Sequence, residues 1–441
     1  MEARHSIFAP SNVAISTSAL WRVSLSAILS TTLVAGPKPT FSKDVLPILQ
    51  NRCQQCHRPG EIAPMPLLTY PGVRPWAKAI RDTVLTRKMP PWFADPKFGH
   101  FANDRALSKS EIDTIVDWVD NGSSEGNPKD APPARAWPAG WNIGTPDAIF
   151  EMPRPFAIPG KGTVEYQYVI LPTRFNEDKW VERVEVRPSE RSTVHHAVVY
   201  IREPDSTTWL HNQPIGTPFS LPASNHRPNP ASLTTSDILM VYTPGNSSDS
   251  WSFGLAKKIK AGSDLVLQMH YTTNGKAVAD RTRIGVVFAK EPPRQAVLTL
   301  QMGSDKFVIP PGDPNYRVAV SGTLPNEATL ISLFPHMHLR GKGFEYLLVE
   351  PNGKIETLLK VTGYDFNWQL NYRLSEPRVL PAGTHLQWIG YFDNSPNNPR
   401  NPDPGAEVRF GEQSWEEMMI GFFDIALDPK MGKPAFFERK R

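Results

Sequence analysis

The chain has 441 residues and a formal net charge of +4, with 48 basic side chains against 44 acidic ones. That balance excludes a strongly basic nucleic-acid binder, and the length implies two or three domains with full hydrophobic cores. The 45 prolines and 10% aromatic residues, set among short alternating runs, point to β-structure joined by stiff loops.

At the N-terminus, Arg22 precedes a small-residue and apolar run over 25–36. It reads as the h-region of a signal peptide covering residues 1–36. The run is short and polar for a transmembrane helix. An uncleaved N-terminal anchor is the alternative, and membrane association is expected only in that case. The next motif also requires export. Cys53-Gln54-Gln55-Cys56-His57 holds both cysteines of the chain, and Cys-x-x-Cys-His is the attachment sequence of a c-type haem. Its two thiols add to the vinyl groups of one porphyrin, and the adjoining imidazole reaches the iron. A zinc site would need two more ligands at finger-like spacing, and a redox pair would sit between a strand and a helix. Neither context is present. Because the attachment chemistry is done outside the cytoplasm, a periplasmic or otherwise exported protein is expected.

Downstream, Lys88-Met89-Pro90-Pro91-Trp92 places a thioether on a proline-fixed loop, and His57 with Met89 would form the usual axial pair of an electron-transfer haem. Met65, between Pro64 and Pro66, is the competing thioether. Ser108-Lys109-Ser110-Glu111 is a capping box that should open a helix. Ile112, Ile115, Val116 and Val119 form its apolar face, and Gly122 supplies a stop. On these features residues 41–125 resemble a small cytochrome c, and residues 37–126 are expected to form a small all-α haem domain. Residues 127–138, rich in proline, read as a linker. Gly122-Ser123-Ser124-Glu125-Gly126 matches the Gly-x-Ser-x-Gly elbow of hydrolases. That elbow follows a strand and opens a helix, whereas here a helix precedes it and a proline-rich loop follows.

From about Trp137 onward, strand-like runs at 181–186, 195–201, 264–271, 283–289 and 328–334 replace helical periodicity. Glu291-Pro292-Pro293-Arg294 divides them into two all-β domains, 139–291 and 292–441, each of a size for an antiparallel sandwich. The histidines cluster on these runs. Residues two apart on a strand share a face, so His336 and His338 can grip one metal directly. Neighbours point to opposite faces, so His195 and His196 can share a metal only at a bulge, a bend or a strand end. His270, from another strand, would complete a trigonal nitrogen site. Met418 or Met419 would be the third ligand of the His336/His338 pair, and a thioether favours reduced copper over zinc. His100, His211, His226 and His385 stand alone and read as solvated or structural.

The ordered set has four parts: a His-His pair before an apolar strand, a Leu-Gln-x-His-Tyr segment, a His-x-His, and an acidic-acidic-Met segment. Over roughly residues 140–430 it resembles the copper type II, ascorbate-dependent monooxygenases, the group of peptidylglycine α-hydroxylating and dopamine β-monooxygenases. The resemblance implies two jelly-roll-like antiparallel sandwiches, each carrying one copper across a solvent-filled gap. It also implies that His195, His196 and His270 bind the electron-entry copper, and that His336, His338 and Met418 bind the copper where oxygen reacts. Met418 is preferred to Met419 because it directly follows Glu416-Glu417. The departures are a lack of spare cysteines, Phe334 where peptide-hydroxylating members place an arginine, and Ile420 and Phe422 in place of polar residues. A carboxylate would find no partner there. The expectation is therefore a haem c and two-copper monooxygenase that hydroxylates a fairly apolar small molecule with dioxygen. Electrons would come from an ascorbate-like reductant or a redox protein, with the haem feeding the His195/His196/His270 copper. The alternative is a periplasmic electron-transfer or copper-binding protein without hydroxylase activity.

Overall fold

The computed structural model describes residues 38–441 apart from 139, 205–212, 221–233, 236–237, 252–253, 351–352 and 439–441. The signal or anchor assignment to residues 1–36 lies outside the described residues. Among those described, no helix is long and apolar enough to cross a membrane.

Strands dominate, and their burial follows their sequence. Tyr316–Thr323 alternates in exposure along its length, as expected of a strand with one wet face. Met419–Leu427 reads Met-Ile-Gly-Phe-Phe-Asp-Ile-Ala-Leu and is buried at all but one position, because it is covered on both faces. The strands Lys179–Arg187, Val194–Arg202, Asp264–Tyr271, Arg283–Phe288 and Ala328–His336 lie where β-branched and aromatic runs place them.

A ten-stranded sheet runs through the molecule. Lys179–Arg187 pairs with Leu255–Ile259, which runs parallel to Gln295–Ser304. That strand pairs with Met419–Leu427, which in turn pairs with Ala328–His336. The sheet thus continues across the Glu291–Arg294 break. Two further four-stranded sheets cover it, one containing Val194–Arg202 and Asp264–Tyr271, the other containing Gly341–Val349 and His385–Phe392. Among the described residues, three larger apolar cores result. One is built mainly from the 152–286 strands, one mainly from residues 300–436, and a smaller one from residues 41–118.

The expected small all-α cytochrome c-like domain is corrected by this architecture. Strand accounts for 38% of the structure and helix for 13%, and no sizeable all-α domain is seen among the described residues. The helices of the N-terminal region, Leu46–Arg52, Tyr70–Val73, Ala77–Leu85 and Lys109–Asp120, are short. Pro64, Pro66, Pro71, Pro75, Pro90 and Pro91 punctuate the stretch between the first and the last, and proline cannot sit in a helix interior without breaking its bonding. The capping box is formed, with Ser108 accepting from the Glu111 amide and the Glu111 carboxylate accepting from the Ser108 amide. Residues 92–103 then leave the helices and strap onto the C-terminal sandwich. Trp92 and Phe101 enter its core, and Trp92 packs on Tyr372 with ring centroids 4.9 Å apart. The Asp95 amide donates to the Lys360 carbonyl at 2.8 Å and the Ala102 amide to the Arg373 carbonyl at 2.8 Å. Pro39–Arg441 forms one compact unit.

The Gly122–Gly126 stretch has a structural role. The Phe41 amide donates to the Ser124 carbonyl and the Ser42 amide to the Glu125 carbonyl, both at 2.9 Å. Gly126 adopts φ +77°, and a Cβ there would lie 2.5 Å from the Thr40 side chain, so this joint needs glycine.

Candidate metal centre

His195, His196 and His270 converge through a bulge. His270 pairs with His196 across the sheet, but Tyr271 pairs with Val194, leaving His195 as the extra residue. The bulge swings His195 to the same side as its neighbour. His196 Nδ1 stands 3.1 Å from His195 Nδ1 and 3.4 Å from His270 Nδ1, and ligand atoms of the three rings lie within 4.8 Å of one another. One Nδ1 carries either a proton or a lone pair in its plane, so hydrogen bonding can serve only one of these two contacts. Two nitrogens on one tetrahedral metal at ~2.0–2.1 Å stand about 3.3 Å apart, so the separations from His196 to His195 and to His270 match those of ligands on a common ion. Beyond them, Tyr166 places its hydroxyl 3.4 Å from His196 Nε2 and its ring 4.6 Å from His270.

His336 ends the strand Ala328–His336, and His338 follows two residues later with its ring centroid 5.3 Å away. Each ring is held from behind. His336 Nδ1 donates to Gln369 Oε1 at 2.6 Å, and His338 Nδ1 donates to the Glu416 carbonyl at 3.3 Å. These acceptors fix the tautomer and leave both Nε2 atoms as ligands. His338 Nε2 is buried with no hydrogen-bond partner, an arrangement that is costly unless something binds it.

The paired strand supplies the thioether question. His336 lies opposite Ile420, so continuing the antiparallel register sets Met337 opposite Met419 and His338 opposite Met418. Met337 and Met419 are fully buried in the C-terminal core, where Met419 approaches Gly390. Met418 is half-buried, and on that continued register it would fall on the histidine face. Glu417, fully buried, fixes both segments: its carboxylate accepts from the amides of His338 at 2.9 Å, Arg340 at 2.6 Å and Met418 at 3.3 Å. Burial pushes its pKa up to about 8 despite those donors. Arg340 is turned away from the histidines, donating to Asn394 Oδ1 and the Trp415 carbonyl, both at 2.7 Å.

The two histidine sets share a wall. His196 and His336 have ring centroids 6.3 Å apart, and Phe366 lies 4.2 Å from His195 and 5.9 Å from His338. Phe334 stacks on Phe422 at 5.9 Å, and Phe422 approaches His336 at 6.4 Å, so that flank is apolar. Burial followed by the charge of His336 lowers the His195 pKa to about 4, and burial followed by His195 and His336 lowers His270 to about 3. His196 and His338 fall well below the usual imidazole value, burial being the largest cause for each. All are neutral near pH 7, the form that binds metal.

At the other end, Cys53 and Cys56 are free thiols on the turn that closes the helix Leu46–Arg52. The amides of Cys56 and His57 both donate to the Cys53 carbonyl, at 3.1 and 3.0 Å. His57 Nδ1 donates to the Met65 carbonyl at 3.1 Å, which leaves Nε2 as the outward nitrogen. Met65 therefore backs the imidazole. Met89 is half-buried, its amide donating to the Thr83 carbonyl at 3.3 Å, and the strap from Trp92 follows at once.

Sequence reasoning missed Gln369, Phe366, Tyr166 and the bracing role of Glu417. The Glu-Glu-Met segment drew attention to the methionines, but nothing in its spacing signals a carboxylate that clamps three amides. Gln369 and Phe366 lie on an irregular loop with no periodicity to read.

No protein-family model and no curated protein matches the chain. Among solved structures, the major capsid protein P2 of bacteriophage PM2 aligns with 64% of this chain and 98% of its own, at 8% identity and a TM-score of 0.28. The VP2 subviral particle of infectious bursal disease virus aligns over 68% of this chain and 77% of its own, at 10% identity and a TM-score of 0.20. Superpositions this loose carry no argument about fold or function.

Proposed function

We propose that this chain is an exported, copper- and haem-dependent oxidoreductase, a monooxygenase that hydroxylates a fairly apolar organic molecule with dioxygen. The observation that carries the reading is the convergence of the three Nδ1 atoms of His195, His196 and His270 beside a second pair of imidazoles with free Nε2 atoms. The donor sets fit copper: three neutral imidazoles at one site, and two with the Met418 thioether at the other, the softer set favouring the reduced ion. The Cys53–His57 turn fits a covalent haem, since both thiols are free and His57 is held with Nε2 outward.

Copper and haem, when bound, supply the one-electron and dioxygen chemistry that side chains lack. The chain's own residues do the rest. Gln369 and the Glu416 carbonyl orient His336 and His338, while Glu417 holds the backbone that presents His338 and Met418. Phe334, Ile420 and Phe422 make that flank apolar and carry no counter-charge themselves, so a neutral apolar substrate is preferred to a carboxylate there. A haem held by Cys53, Cys56 and His57 would supply an electron entrance to the His195/His196/His270 site, with an ascorbate-like reductant or a redox protein as its source.

Copper and haem analysis of protein matured in an exporting host tests this reading, together with oxygen consumption under reductant. One haem and two coppers per chain, with substrate-dependent oxygen uptake, is the expected result. Protein that retains no copper would sink it. The second reading, a periplasmic electron-transfer or copper-binding protein, is favoured by one observation. The cavity that Phe334 and Phe422 line has a volume near 30 Å³, room for water and not for an organic substrate. Two coppers without any oxygen uptake would select it.

A further inference from the structure

A cavity of about 190 Å³ opens far from the histidines and from the cysteine turn. Ile201 lines it, six residues beyond His195 on the strand Val194–Arg202, a separation of about 20 Å. Pro429–Lys433 line it too, past the end of Met419–Leu427 opposite to Met418. No histidine, cysteine or Met418 contributes to its wall. The floor is apolar, with Ile201, Ile238, Ala296 and Val297 buried there. Trp180 and Leu298, both half-buried, form the sides. The rim is cationic: five lysines line the cavity, against Glu203 as the one carboxylate among the described lining residues.

The lysines divide into two kinds. Lys257, 4% exposed, is held within the fold. Its ammonium donates to the carbonyls of Ile238 and Leu239, each at 3.1 Å, and to Thr299 Oγ1 at 2.7 Å. Those bonds use all three of its donors. The other four stand at the mouth. Lys258 pairs with Asp178 at 2.6 Å, while Lys260 and Lys433 share Glu203 at 2.5 and 3.6 Å. Lys430 is exposed and makes no ion pair among the described residues. The turn that presents Lys430 and Lys433 is fixed beforehand. The Lys430 amide donates to the Asp428 carboxylate at 2.9 Å, and the Met431 amide donates to the Asp428 carbonyl at 2.8 Å. The mouth thus carries a surplus of positive charge over an apolar floor.

We propose that this cavity binds a small aromatic carboxylate of benzoate size, with the ring on the floor beside Trp180 and the carboxylate between Lys430 and Lys433. An apolar cavity of about 150 Å³ accommodates a benzene ring, and the volume here adds room for one small substituent. A neutral ring would leave the rim charges unused. An inorganic anion would leave the floor bare, although covering apolar surface is the larger source of binding energy. A ring bearing one carboxylate uses both, through burial and through charge-assisted hydrogen bonds from the ammonium groups. Trp180 adds an aromatic side for it to pack against. The volume excludes a long acyl chain or a nucleotide.

Titration calorimetry of the matured full-length protein tests the site, with benzoate as the probe and benzyl alcohol, acetate and decanoate as comparators. Benzoate should bind saturably, and each comparator should bind about tenfold more weakly or not at all. The double variant Lys430→Gln/Lys433→Gln should weaken benzoate by about tenfold, the loss of one charge-assisted hydrogen bond, and leave benzyl alcohol unchanged. Leu298→Trp should fill the cavity and abolish benzoate binding. Benzoate binding that survives Leu298→Trp lies elsewhere, for example on a metal, and overturns the proposal. Benzoate affinity unchanged in the lysine variant also overturns it, and that variant decides the question where Leu298→Trp fails to fold. Decanoate binding more tightly than benzoate would do the same, since it would show an open groove for acyl chains. The measurement reads heat and not turnover, so it stands or falls separately from the function proposed above.

Discussion

The two histidine sets solve one problem by opposite means. The set at His195, His196 and His270 is rigid by backbone geometry: a bulge between two buried, hydrogen-bonded strands turns adjacent side chains the same way. The set at His336 and His338 lies at a strand end and beyond it. Its order comes from side chains behind it, namely Gln369, Glu417 and the register with Met418. A site built into a ladder is closed and tolerates little change. A site built on braces can leave one direction open, which is what a reacting centre needs.

That contrast can be broken by substitution, and the largest effect is expected at the braced site. His338→Ala or Met418→Ala should lower copper from two to one per chain and abolish substrate-dependent oxygen uptake, as read by metal analysis and an oxygen electrode. Loss of both coppers in either variant would show that the two sets act as one site. His270→Ala should remove the other copper and leave the one at His338 and Met418, with stopped-flow reoxidation of reduced haem lost while metal remains at the braced site. Glu417→Ala leaves three amides without their acceptor. It should destabilise the fold by about 2–5 kcal/mol in denaturant titration and loosen only the His338/Met418 copper.

The smallest effect concerns Asp249, which lines the narrow cavity behind Phe334 and Phe422. Its pKa is raised by burial and then by Asp424. The folded state therefore holds its proton more tightly than the unfolded state does, and the contribution present below pH 3.8 is lost as pH rises above it. Asp249→Asn should flatten that part of the pH–stability curve and raise stability at pH 7. A variant with an unchanged slope would show that Asp249 ionises as freely folded as unfolded.

Much of this was legible in local pattern. The strand runs, the capping box at Ser108 and the need for a bulge at His195 all follow from periodicity and from the geometry of adjacent side chains. Contacts distant in sequence were not legible. The parallel pairing of Leu255–Ile259 with Gln295–Ser304 carries the sheet across a proline-rich break that reads as a boundary. Residues 92–103 show no alternation, because they meet the sandwich through isolated bridges at Ala94 and Phe101. The step from a haem-attachment motif to an all-α domain failed for a physical reason: six prolines between 64 and 91 leave only short helices, and Trp92 and Phe101 find their burial in a β-core. The candidate ligands were visible as residue types. The groups that aim them, Gln369 and Glu417, were not.

The strap from Trp92 to Asn103 also decides how the molecule behaves as a machine. With Trp92 sunk in one core and the Cys53–His57 turn built on another, the stretch at residues 127–138 is not a tether on which a redox module swings. Any group carried on that turn is held at one distance from the histidines, set by sheet hydrogen bonds and not by chain length. Transfer across it would be insensitive to solvent viscosity, and lengthening 127–138 would leave its rate unchanged.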